Sequence, residues 1–113
     1  MAEFAFLFRG ANDMSQDSPE RAQQLMERWR AWMKDLTTKG FFKGGQPLER
    51  GGKVVDRNKS VTDGPYAEAK DLVGGFIVVE CKDLLEAAEL SKGCPIFTNN
   101  GFVEVRPVMK MDM

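Results

Sequence analysis

The chain has 113 residues, 42% hydrophobic and 29% charged, with 16 basic against 17 acidic side chains and a formal charge of −1. That length fits one domain, 1–113, with one hydrophobic core, and the balanced, interspersed charge excludes the basic stripe that nucleic-acid phosphates require. Histidine is absent, which excludes serine–histidine and cysteine–histidine nucleophile pairs and histidine metal sites.

The first residues alternate strictly: Phe4, Phe6 and Phe8 point one way, Glu3, Ala5, Leu7 and Arg9 the other. Period two predicts a strand over 2–9. The run lacks a basic leader and is too short to cross a bilayer. With only two cysteines, Cys81 and Cys94, the chain reads as cytoplasmic, with no membrane partner, metal or cofactor expected. After a polar loop, Ser18-Pro19-Glu20 supplies an N-cap, a proline at the first helical position and an acid in the first turn. Ala22, Leu25, Met26, Trp29, Met33 and Leu36 then mark a helical stripe that Gly40 closes. Trp32 sits at the edge of that stripe. Two tryptophans on one helix supply either the bulk of a small core or one wall of a ligand site.

Residues 41–62 pair glycines with β-branched residues, which predicts a hairpin with Arg50–Lys53 at its tip. Gly44-Gly45 lacks the spacing of a phosphate loop and reads as turn chemistry. A second strand spans 74–81 and ends on Cys81, read as a small buried hydrophobe. Asp83 to Glu86 forms a capping box opening a short helix that Gly93 and Pro95 stop. Asn99-Asn100-Gly101 is a turn, and 102–108 is a last strand whose proline suits a sheet edge. The order is βαββαβ with an enlarged central β-hairpin, an α+β ferredoxin-like sandwich with two helices on one face of a sheet.

Parity divides the sheet. Phe4, Phe6, Phe8, Ile77, Val79, Cys81, Val103 and Val105 form an apolar set expected to face the helices. The opposite set mixes Leu7, Phe76, Val78 and Phe102 with Arg9, Glu80, Glu104 and Arg106. So much apolar surface on a bare face predicts a homodimer joined through it. With strands 2–9 and 74–81 taken as parallel neighbours, Arg9 and Glu80 are expected to pair; alternatively, Arg9 and Arg106 hold a small anion between sheets.

Two accounts also fit Asp63 in "VTDGPYAEAKD". In the structural one its side chain accepts from backbone N–H groups, Gly64 permits positive φ and Pro65 fixes the exit. In the functional one Asp63 faces a pocket lined by Tyr66, Trp29 and Arg9, where partial burial suits it to acid–base work. Glu68 and Lys70 read as surface charges.

The stretches "VTDGPYAEAKDLVGGFIVVE", "EAAELSKGCP" and "VEVRPV", with "WRAWMKDL" and "GGQPLERGGKVV", closely resemble the YCII-related superfamily in its DGPF-domain branch. The resemblance covers essentially the whole chain. It implies a ferredoxin-like domain that dimerises into an α+β barrel-like assembly, and small-molecule chemistry by a histidine–aspartate pair. Only the aspartate, Asp63, matches here, and the signature phenylalanine is Tyr66. Members of the branch are similar to proteins encoded beside extracytoplasmic-function sigma factors, which implies the alternative of a non-catalytic accessory or regulatory protein.

Overall fold

The computed structural model describes residues 1–65 and 68–111. β1 (Ala2–Arg9), α1 (Pro19–Thr38), β2 (Phe42–Pro47), β3 (Gly52–Val55), β4 (Val61–Gly64), β5 (Val73–Cys81), α2 (Leu84–Ser91) and β6 (Phe102–Pro107) follow in chain order. Four strands form one sheet in the order β2-β5-β1-β6, with every neighbouring pair antiparallel. β3 and β4 pair only with each other, as a separate ribbon. The architecture is the ferredoxin-like α+β fold, with the ribbon inserted between β2 and β5.

Local chemistry sets the helix ends. Ser18 Oγ accepts from the Arg21 N–H at 3.2 Å, Pro19 opens α1, and Gly40 follows it at φ +83°. Asp83 Oδ1 accepts from the Glu86 N–H at 2.9 Å, while Glu86 Oε1 accepts from the N–H of Lys82 at 2.8 Å, one residue before the N-cap. Both arrangements satisfy N–H groups that the helix leaves unpaired.

The apolar parity faces the helices as the alternation predicts. Phe4, Phe6, Phe8, Ile77, Val79 and Cys81 are buried, and Val103 and Val105 pack against them. Trp32 and Leu36 close this core from α1, and Ala87 from α2. The tryptophans exchange the places the stripe assigns them. Trp32 is buried and stacks on Phe6 at 6.3 Å, while Trp29 is half-buried and meets Phe8 edge-on at 4.9 Å. The large rings of β1 draw the larger indole contact inward, overriding a stripe counted on spacing alone.

Four expectations need correction. β1 and β5 are antiparallel, not parallel. The α1 crossover gives β1 and β2 the same direction, and β5 enters between them running against both. Glu80 therefore lies opposite Glu3, far along the strand from Arg9, and its partner is Lys43 Nζ at 3.7 Å. Arg9 pairs with Glu104 instead, at 2.8 Å.

Gly44 and Gly45 lie in β2 at a register shift rather than in a turn, at φ +148° and +155°. A Cβ on Gly45 would fall 2.2 Å from the Phe76 carbonyl oxygen, so the close approach of β2 to β5 requires glycine there. The hairpin tip also moves. Leu48 continues the main sheet by donating its N–H to the Gly74 carbonyl at 2.9 Å, and the ribbon turns later, at Asp56–Ser60. There Asp56 Oδ1 accepts from the N–H groups of Asn58 and Ser60, and Lys59 adopts φ +66°. The ribbon stands off the body. Its cross-strand pair Val55 and Val61 is 63% and 62% exposed, and the radius of gyration is 15.5 Å, against about 13 Å for a compact chain of this length.

Phe6→Ala is expected to cost about 3–5 kcal/mol in urea unfolding, whereas Leu85→Ala, 72% exposed, should stay within about 0.5 kcal/mol. Gly45→Ala should destabilise by about 1–3 kcal/mol, because strand β2 must move away from β5 to admit the methyl.

Candidate functional site

At the end of the sheet where β1 finishes and β5 begins, helix packing leaves a cavity of about 470 Å³. Phe8, Gly75 and Ile77 line it from the sheet, and Met26, Trp29 and Met33 line it from α1. Its volume lies within the range of small-molecule sites. The helical stripe supplies this wall because α1 extends beyond the residues that fill the core; Met26 remains 42% exposed.

The charged lining comes from three places: Asp13 in the β1–α1 loop, Arg30 on α1 and Arg50 in the segment between β2 and β3. Asp13 Oδ1 accepts from the Ser15 N–H at 3.0 Å and from the Ser15 hydroxyl at 2.8 Å. The backbone bond first and then the hydroxyl of Ser15 hold its carboxyl below the usual carboxylate range; burial opposes them, and the charge of Arg50 adds the smallest contribution. Arg50 Nε lies 3.8 Å from Asp13 Oδ2. Arg30 forms no ion pair within 4.0 Å among the described residues.

Asn99 completes the lining at 4% exposure. Its Nδ2 donates to the Asn12 carbonyl at 3.3 Å and its carbonyl accepts from the Asn12 N–H at 2.9 Å. These bonds tie the turn before β6 to the loop after β1. The buried Oδ1 of Asn99 has no donor among the described residues.

Of the residues expected at a site, Trp29 lines this cavity. Arg9 and Arg106 belong to the opposite face of the sheet and do not. Arg9 is bound to Glu104, and its Nε donates to the Asp71 carbonyl at 3.1 Å; Arg106 is exposed. Asp63 lies in β4, its side chain 88% exposed and ion-paired across the ribbon with Lys53. Gly64 is a strand residue opposite Gly52 and is not among the residues at positive φ, and the Gly64–Pro65 peptide is cis. Tyr66 lies outside the described residues. Glu68 and Lys70 are exposed neighbours 3.8 Å apart.

The cavity residues that sequence reading missed are Asp13, Arg30, Arg50 and Asn99. Asp13-Met14-Ser15 did carry a signal, an aspartate two residues before a serine in a polar loop, which suits a local capping bond. Nothing along the chain links it to Arg50. Among the described residues no cluster of three metal-ligating side chains forms, and no helix is long and apolar enough to cross a membrane.

Comparison with known proteins places these features in a family. Residues 4–112 match the model of the YCII-related domain. No curated protein matches the chain. Among solved structures it is similar to 5-chloro-2-hydroxyhydroquinone dehydrochlorinase from Burkholderia phenoliruptrix AC1100, in complex with 2,5-dihydroxybenzoquinone, at 17% identity and a TM-score of 0.50 over 90% of each chain. At that identity the likeness is one of fold.

Neither cysteine is exposed. Burial pushes the Cys94 thiol up to about 12 from 9.0, and burial followed by the charge of Glu86 raises that of Cys81. The folded protein therefore holds the Cys94 proton where the unfolded chain releases it. This contribution to stability is complete below pH 9.0 and is lost as pH rises from there toward about 12. Urea titrations should show stability falling above pH 9.0, with a shallower alkaline fall in Cys94→Ala. Ellman's reagent should modify both thiols in urea and neither in the native protein.

Proposed function

The chain belongs to the YCII-related family, and on that premise we propose that it binds a small organic anion in the cavity beside α1. The observation that carries this reading is the cavity itself: apolar walls of molecular size, with two guanidinium groups among its lining. Such sites bury a flat or compact ligand against hydrophobic side chains and orient it by a few polar groups. The complex of the dehydrochlorinase with 2,5-dihydroxybenzoquinone supports a ligand of that size on this fold. The D-G-P-Y-A-E stretch supports the narrower placement in the DGPF branch.

The proposed protein is a homodimer joined through the open face of the sheet. Leu7, Phe76 and Val78 are only half-buried there, and Phe102 is 43% exposed. A second copy would cover these groups and face the Arg9–Glu104 pair with its own mixed charges. Sedimentation equilibrium should give a dimer at micromolar concentration, and Val78→Lys should yield monomer or aggregate; a wild-type monomer overturns the assembly.

Asp63 enters the proposal as an acid–base group only if the ribbon carries it to a bound ligand, because it lies outside the cavity lining. Its exposure and its pairing with Lys53 favour binding without catalysis as the second reading. Ligand binding followed by tryptophan fluorescence separates the components. Trp29→Ala should weaken a small aromatic anion by about tenfold or more, and Asp63→Asn should leave its affinity unchanged. A turnover abolished by Asp63→Asn at constant melting temperature assigns it catalysis and removes the second reading.

A further inference from the structure

Resting on the cavity as the binding site, we infer that its ligand is a flat aromatic mono-anion and that Asp13 sets this charge preference. The charged groups lining the cavity are Asp13, Arg30 and Arg50, so its lining carries one surplus positive charge. That count holds across neutral pH, since Ser15 keeps Asp13 ionised. Arg50 is already engaged by Asp13 at 3.8 Å, whereas Arg30 has no carboxylate within reach among the described residues. A single carboxylate or phenolate balances the surplus. A neutral ligand leaves it uncompensated, and a dianion brings a second charge that meets Asp13.

The walls specify the body of the ligand. Phe8 and Trp29 present rings, and Met14, Met26 and Met33 present thioethers. Rings favour offset or edge contacts with another ring, and methionine adapts to an aromatic edge through its polarizable sulfur. A flexible alkyl chain would bury similar area but must lose rotamer freedom to do so.

Asp13 thus determines specificity by occupying one of two guanidinium groups. Asp13→Asn preserves an acceptor for Ser15 while releasing Arg50, and it raises the lining from one surplus positive charge to two. Arg50→Ala does the reverse and leaves Asp13 facing Arg30 alone.

Fluorescence and NMR titration of the full chain with naphthalene-2-carboxylate, naphthalene-2-carboxamide and octanoate tests the inference. Wild type should bind the aromatic carboxylate about tenfold more tightly than the isosteric carboxamide and than octanoate. Asp13→Asn should tighten the two carboxylates about three- to tenfold and leave the carboxamide unchanged, and Arg50→Ala should erase the preference for charge. Equal wild-type affinities for carboxylate and carboxamide, octanoate binding as well as naphthoate, or an Asp13→Asn variant with unaltered selectivity would each overturn it, while leaving the cavity as a binding site. Failure of all three probes to bind would overturn the binding site and this inference together.

Discussion

The strip of Phe4, Phe6 and Phe8 along β1 is the constraint on which the rest of the molecule depends. β1 is central, bonded to β5 on one side and β6 on the other, so its facing direction fixes that of the whole sheet. Phe6, with no exposed surface, stacks on Trp32, and Phe8 meets both tryptophans edge-on. Ring contacts of this kind add to area burial and fix a geometry as well as a depth. They orient α1 about its own axis, placing Trp32 and Leu36 in the core and leaving Trp29, Met26 and Met33 to overhang the end of β5. The cavity is a product of that packing. Where the phenylalanine strip ends at Phe8, the helix continues, and β5 runs beneath it through Gly74 and Gly75, which have no side chains to fill the space.

This explains which parts of the fold were legible along the chain. Alternation in 2–9 and 74–81, the Ser18-Pro19 helix start and the Asp83 capping box are local signals read over a few residues, and each is matched by an element in the structure. Strand direction is not local. It follows from the crossover through α1, which makes β1 and β2 point the same way and forces β5 between them to oppose both. Reading β5 as parallel carried Glu80 to the wrong end of β1 and suggested an ion pair with Arg9 that the register forbids. The glycine pair at 44–45 failed for a related reason. Its role is the distance between two backbones, β2 and β5, and the partner Phe76 lies more than thirty residues downstream.

The cavity was legible only through its helical wall. Trp29 stood out as an aromatic at the right spacing. Asp13, Arg30, Arg50 and Asn99 come from four separate segments, and none belongs to a periodic pattern. Loops at one end of a sheet converge once the strands are ordered, so their charges combine in space without any signature in sequence. The same separation makes the site's electrostatics adjustable. Asp13 and Arg50 lie on different connections, and each can change its partner without disturbing the phenylalanine strip.

The D-G-P stretch and Arg9 take on a different relation from this geometry. A two-stranded ribbon with an exposed ion pair at Lys53–Asp63 gains little stability of its own. Its position is set at its base, where three bonds converge: Leu48 N–H to the Gly74 carbonyl, Gly10 N–H to the Leu72 carbonyl, and Arg9 Nε to the Asp71 carbonyl. Arg9 is held in turn by Glu104 on β6, so one guanidinium ties the returning end of the ribbon to two strands of the main sheet. The residues so fixed, Leu72 to Gly75, include the sheet side of the cavity mouth. Arg9 thereby acts on the site from the opposite face, by holding the backbone that lines it. The D-G-P stretch lies on the segment that this clamp positions and outside the cavity lining.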